Sequence, residues 1–256
     1  MPGLSILRVL ISGLVWAAPL CAQTPAPDLI NPAETYKFCL DMARAYPAQG
    51  FEFSGKWVGQ LGGEPAKHCQ AVALLGLREY AEAAARLQEL AQTSKQDKPV
   101  RAGLLAQAGQ ALLLAEQFEQ AYALQTAALE LLPRDPQLLM DRAGTLAAAK
   151  NYWQAIDDLN VVIEIEPRNA EALALRASAY RMVEADDLAY DDAARALAID
   201  AGNISALLER GNLSRMKGDT AAARKDWMKI LELSPDGDAA SAARANIEKL
   251  DVNPEK

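Results

Sequence analysis

Apolar and small residues recur along this chain at helical rather than strand spacing, and between Ala102 and Gly237 they do so four times in register. In the first segment Leu105, Gly109 and Leu112 fall at i, i+4 and i+7 on one face of a first helix; Ala121, Gln125 and Ala128 do the same on a second. Displacing the sequence by 34 residues stacks Gly109, Ala143, Ala177 and Gly211, and likewise Ala121, Ala155, Ala189 and Ala223. Pro133, Pro167, Ala201 and Pro235 stack near the segment ends. Small residues stand where two helices cross closest, and a proline without an N–H ends every unit but the third. A fixed period of this size predicts an all-α solenoid of helix hairpins over 102–135, 136–169, 170–203 and 204–237, each burying its spare apolar face on the next.

The residues then resemble a known family. The fourth segment reads Leu207, Arg210, Gly211, Ser214, Ala223, Trp227 and Pro235; the third reads Leu173, Arg176, Ala177, Tyr180, Ala189, Ala193 and Ala201. This is similar to the tetratricopeptide repeat, although no segment has that repeat's initial tryptophan and the third lacks its proline. The resemblance implies a right-handed superhelix of antiparallel hairpins with a concave surface lined by first helices.

A second regularity lies outside the family pattern. Arg142, Arg176 and Arg210 each precede an aspartate by sixteen residues, Asp158, Asp192 and Asp226, while the first segment has Ala108 and Leu124 there. Pairing between successive hairpins would strand Arg142 and Asp226, so an ion pair inside each of the last three hairpins is expected. Solvated face charges are the alternative.

Outside the repeats, Met1 to Ala22 carries Arg8, the apolar run Val9 to Ala18 and a small residue at its end, the pattern of a secretory signal peptide cut after Ala22. A lipoprotein built on Cys21 and an uncleaved signal anchor are the alternatives. Export predicts a periplasmic location and an oxidising compartment, in which the remaining Cys39 and Cys69 are expected to form a disulfide; two buried thiols that never meet are the other reading. Residues 23–31 form a polar spacer. Over 32–101 the pattern predicts two divergent hairpins, with helices at Pro32 to Tyr46, Phe51 to Leu61, Glu64 to Gly76 and Tyr80 to Ala91, and a polar loop from Gln92 to Pro99. Phe53, Trp57 and Leu61 share one face of the second helix. Residues 238–256 supply a capping helix and a tail, with Ile247 and Leu250 as its main apolar contacts.

Charge and chemistry narrow the function. The net charge of −8 becomes −9 when Arg8 leaves with the signal, and no basic cluster offers a nucleic-acid surface. No phosphate loop, nucleophile elbow or metal-spaced cluster is present, so neither catalysis nor a cofactor is expected. His68 is the only histidine, and its neighbour Cys69 points about 100° away on a helix, too far round for a nucleophile and base pair.

What the resemblance implies is a protein partner, held as a peptide or helix in the concave groove. Carried over segment by segment, the inward positions are Ala106, Gln107 and Gln110; Met140, Asp141 and Gly144; Ala174, Ser178 and Arg181; and Leu208, Asn212 and Arg215. Met182 and Met216 adjoin the two arginines, which are expected to receive an acidic or carboxylate-ended segment. The lysine and asparagine set that clamps a C-terminal carboxylate in some relatives is not reproduced. An adaptor or assembly factor follows; a module for cell-wall glycan is the alternative, and would want an aromatic row on one face.

Overall fold

A computed structural model describes residues 31–252. The expected signal peptide, nearly all of the spacer and the last four residues, 253–256, lie outside them. Thirteen α-helices and no strand occur among the described residues. The amino-terminal part holds α1 (Pro32–Ala45), α2 (Pro47–Gly59), α3 (Gly63–Gly76) and α4 (Tyr80–Thr93). The regular part holds α5 (Lys98–Leu114), α6 (Phe118–Leu131), α7 (Pro136–Ala148), α8 (Tyr152–Ile165), α9 (Ala170–Met182), α10 (Asp186–Ile199), α11 (Ile204–Met216) and α12 (Thr220–Leu233). A last helix, α13 (Asp238–Val252), packs on α12 and α11, burying Ala240, Ala243 and Leu250.

The local chemistry of the two kinds of turn repeats with the hairpins. Each first helix from α5 onward opens on an Asp or Asn cap: Asp97, Asp135, Asn169 and Asn203 accept from the N–H of Val100, Leu138, Ala172 and Ala206. Such a cap satisfies one of the N–H groups a helix start leaves without a partner. Within each hairpin from α3 onward the first helix ends on a left-handed residue: Arg78, Glu116, Lys150, Glu184 and Gly218 all have φ between 57° and 83°. The next residue's N–H reaches back to the helix, as from Gln117 to Leu112 O and from Asn151 to Leu146 O. Four of these five positions carry a side chain where glycine would be unstrained.

Packing is sequential, each helix against its neighbours in the chain, and first helices of adjacent hairpins also touch one another. Second helices do not approach each other as closely, so the first helices form the inner face. Residue size sets the crossing inside each hairpin. A Cβ on Gly211 would stand 2.5 Å from Trp227 Nε1, and one on Gly109 2.7 Å from Gln125 Cγ. At Ala143 and Ala177 the residues sixteen positions on are smaller than tryptophan, Leu159 and Ala193. A fully buried Trp227 is therefore admitted by the absence of one methyl group.

Three sequence expectations need correction in the amino-terminal part. Pro47 ends α1 and also opens α2, because a proline at the first helical position sacrifices no hydrogen bond; α2 therefore starts before Phe51. Leu61 does not join Phe53 and Trp57: the helix closes at Gly59, Leu61 takes φ 66° and is 95% exposed, and the buried stripe is Gly50, Ser54 and Trp57. The polar loop is shorter than Gln92 to Pro99, since α4 runs to Thr93 and the Asp97 cap starts α5 at Lys98.

Candidate functional site

Two sets of polar side chains are repeated or linked across the helices, one inside the hairpins and one along the inner face. Inside the hairpins, Arg142, Arg176 and Arg210 each grip their aspartate with two nitrogens, at 2.7 to 2.8 Å for Asp158, 2.6 to 2.8 Å for Asp192 and 2.7 Å for Asp226. The pairs form within hairpins, as their spacing requires. Two of the arginines also reach backward by the same sixteen residues, Arg142 to Thr126 Oγ1 at 3.2 Å and Arg176 to Asn160 Oδ1 at 2.7 Å. The guanidinium therefore ties its own hairpin to the one before. At Arg210 the corresponding residue is Ala194, and its side chain is 30% exposed against 13% for Arg176. In each of the acidic pairs Asp157–Asp158 and Asp191–Asp192 the second aspartate is the buried, paired one and the first faces water.

Along the inner face, polar groups connect first helix to first helix. Tyr36 on α1 bonds His68 Nδ1 at 2.8 Å, and His68 Nε2 bonds Gln107 Oε1 on α5 at 2.9 Å. A carboxamide oxygen only accepts, so Nε2 carries a proton; burial favours the neutral imidazole, in which Nδ1 then accepts from the Tyr36 hydroxyl. Burial pushes the His68 pKa down, the bond to Gln107 partly opposes this and Arg44 adds repulsion; burial pushes the Tyr36 phenol up. Asp141 on α7 accepts from Gln137 at 3.0 Å, and Gln110 on α5 is near enough to help lower its carboxyl pKa. Farther along, Glu209 on α11 holds Arg181 at 2.6 and 3.3 Å, Glu171 accepts from Asn203 and Ser205, and Asn212 bonds Asn246 on α13 at 3.0 Å.

This changes the reading of the groove residues. Arg181 is not an open cation: its charge is neutralised by Glu209, both side chains being largely buried. Arg215 is exposed and has no side-chain partner among the described residues, so the two arginines are not an equivalent anion-receiving pair. Ala106 and Ala174 are buried and present no surface. Ser178 and Leu208 are half-buried, Met182 and Met216 are exposed, and Met140 lies against the Asn169 amide. Asp141 is the distinctive member. Burial raises its pKa, and the two glutamine amides around it only partly offset this; no salt bridge neutralises it among the described residues.

At the amino-terminal end of the inner face, α1, α3 and α5, with Leu90 of α4, line an open cavity of about 350 Å³. Leu90, Leu104, Val100, Pro65 and Pro99 give it apolar walls, and the Tyr36, His68 and Gln107 chain supplies one polar side. The Cys39–Cys69 disulfide ties α1 to α3 directly beside it, Cys39 one turn beyond Tyr36 and Cys69 next to His68. Sequence reasoning named Gln107 for the groove and set His68 aside; its partners are 32 and 39 residues away, and no local pattern links them. Trp153, 63% exposed on α8, was likewise not singled out.

The architecture is that of the tetratricopeptide-repeat class: helix hairpins stacked in sequence with first helices inward. No family model matches this sequence, and no curated protein matches it. Among solved structures the chain is similar to TTC0263, a thermophilic TPR protein in Thermus thermophilus, at 18% identity over 72% of this chain and 99% of that one, with a TM-score of 0.59. It is also similar to MamA 41-end from Desulfovibrio magneticus RS-1, at 22% identity over 76% and 99%, TM-score 0.53. A third is YrrB, described as a TPR protein with an unusual peptide-binding site, at 17% identity over 75% and 96%, TM-score 0.51. The likeness is one of fold.

Proposed function

We propose that this chain is a non-catalytic scaffold, exported to the periplasm, that holds a partner's peptide or helix along the inner face of its first helices as an adaptor or assembly factor. The observation that carries the reading is Asp141. A half-buried carboxylate surrounded by amides and lacking a cation costs stability, and an inner face that keeps one is suited to a cation supplied from outside. The partner segment is thus basic at this point, the reverse of the acidic segment that the arginines alone would suggest. YrrB, of the same fold, is described as having a peptide-binding site, which supports the class of ligand. The reading of an exported protein rests on the sequence of residues 1–22.

A glycan site is less well supported. Tyr122 and Tyr190 stand two repeat lengths apart on second helices, but Arg142 lies 5.5 Å over the first ring and Lys217 Nζ 4.7 Å over the second, covering faces a sugar would stack on. The test is in-cell crosslinking of the exported protein with mass spectrometry, comparing wild type, Asp141→Lys and the outer-face control Asp157→Lys. Loss of a dominant partner in Asp141→Lys alone is the expected result. The same partners in all three would place binding elsewhere.

A further inference from the structure

We infer that the cavity between α1, α3 and α5 is a ligand subsite that takes one bulky uncharged side chain of a peptide together with an adjoining amide group. The inference rests on the reading of the inner face as a partner surface, and adds to it a site where the amino-terminal helices meet the first repeat. Its volume of about 350 Å³ lies at the lower end of the range for small-molecule pockets, enough for an aliphatic or aromatic side chain and too small for a folded element.

The polar side of the cavity specifies what accompanies that side chain. Because Gln107 Oε1 is occupied by the His68 Nε2 proton, the carboxamide is held in one orientation and its two N–H groups have no partner among the described residues. Because the Tyr36 hydroxyl donates its hydrogen bond to His68 Nδ1, its oxygen lone pairs are left to accept. Fixed donors and a fixed acceptor side by side complement the C=O and N–H of an amide. No lining side chain carries a positive charge, and the one carboxylate, Glu64, is engaged by Ser94 Oγ at 2.8 Å and Lys95 N at 3.3 Å. An anionic ligand would find no cation in the lining to neutralise it.

Gly103 supplies the means of testing this. It lies in α5 on the cavity wall, and a Cβ built on it meets nothing within 4 Å, so a large side chain there projects into the cavity rather than into packed atoms. Titration of the disulfide-intact protein with N-acetyl-tryptophanamide and N-acetyl-leucinamide, followed by amide and side-chain shifts in 15N NMR, reads the site directly. Saturable shifts at Gly103 and the Gln107 side-chain N–H groups are expected. Gly103→Phe should abolish them with an unchanged or higher melting temperature, and Val100→Trp at the rim gives a second block. Gln107→Leu should weaken binding of the capped amides roughly three- to tenfold while leaving 3-methylindole unaffected. Absence of shifts in the wild type, or equal binding by both blocked variants, would overturn the proposal. Partner crosslinking by the Asp141 variants decides the longer groove separately, so either reading can fail without the other.

Discussion

The amino-terminal hairpins and the four regular ones share an architecture but are fastened by different chemistry. In α1 to α4 there is a disulfide, an edge-to-face and tilted aromatic run of Phe38, Phe53 and Trp57, and the Tyr36 and His68 pair, which bonds on to Gln107 of α5. From α7 to α12 the fastening is one arginine fork per hairpin, repeated with the period of the fold. A repeated unit can reuse one solution at every interface, whereas a divergent end has to build its own. The first set should therefore respond to reductant and acid, the second to loss of a single charge.

The comparison is broken most severely inside the repeats. Asp192 is 3% exposed and serves both Arg176 and Arg195, so Asp192→Ala leaves buried positive charge without a mate. It should cost about 3 to 5 kcal/mol by chemical denaturation, as breaking a buried pair does. Asp226→Ala should cost less, since Arg210 is better hydrated and lacks the backward bond to the preceding hairpin. Equal losses at the two sites would mean that the backward bonds contribute nothing.

The matching change at the other end is Cys39→Ser with Cys69→Ser. Releasing a bridge over a separation of 30 residues should cost about 3 to 4 kcal/mol under oxidising conditions and nothing further when reductant is added. Hydrogen exchange should rise in α1 to α3 and stay unchanged in α9 to α12. A uniform rise would make the molecule one cooperative unit and erase the distinction.

Acid gives a smaller effect confined to the same end. His68 has a folded-state pKa below its ordinary 6.5, so as pH falls below that value the unfolded chain takes up the proton first. Its contribution is complete above about pH 6.5 and is lost progressively as pH drops toward the depressed folded value. His68→Gln should flatten the melting temperature over this window. Asp141 runs the opposite way: its raised pKa means that stability falls as pH climbs above the ordinary carboxylate range, and Asp141→Asn should be slightly more stable at neutral pH. The smallest change is Lys150→Gly, which relieves a left-handed residue at φ 63° and should shift stability upward by no more than about 1 kcal/mol.

Legibility in the sequence followed periodicity. The hairpins, the arginine forks and the small residues at the helix crossings were readable because each recurs at 34 residues with a suitable residue type. The left-handed turns recur just as strictly, yet only Gly218 announces its conformation; Glu116, Lys150 and Glu184 do not. Arg181 with Glu209 escaped because the equivalent pairs, Leu113 with Asp141 and Ala147 with Leu175, are not complementary, so no repeat signals the contact. The Asp and Asn caps at Asp97, Asp135, Asn169 and Asn203 were visible in the sequence and would have set the start of each first helix. The cavity at α1, α3 and α5 depends on residues brought together from four helices and the loop before α5, and only the fold assembles it.

The most direct test of the central claim, that the inner face holds the partner, is photo-crosslinking in cells from single positions bearing a benzoylphenylalanine. Ser178 and Leu208 stand on the inner face, and Glu130 and Lys225 are exposed on second helices. One partner captured from Ser178 and Leu208 and not from Glu130 or Lys225 is the predicted result. Capture of that partner from the second-helix positions alone would contradict the account.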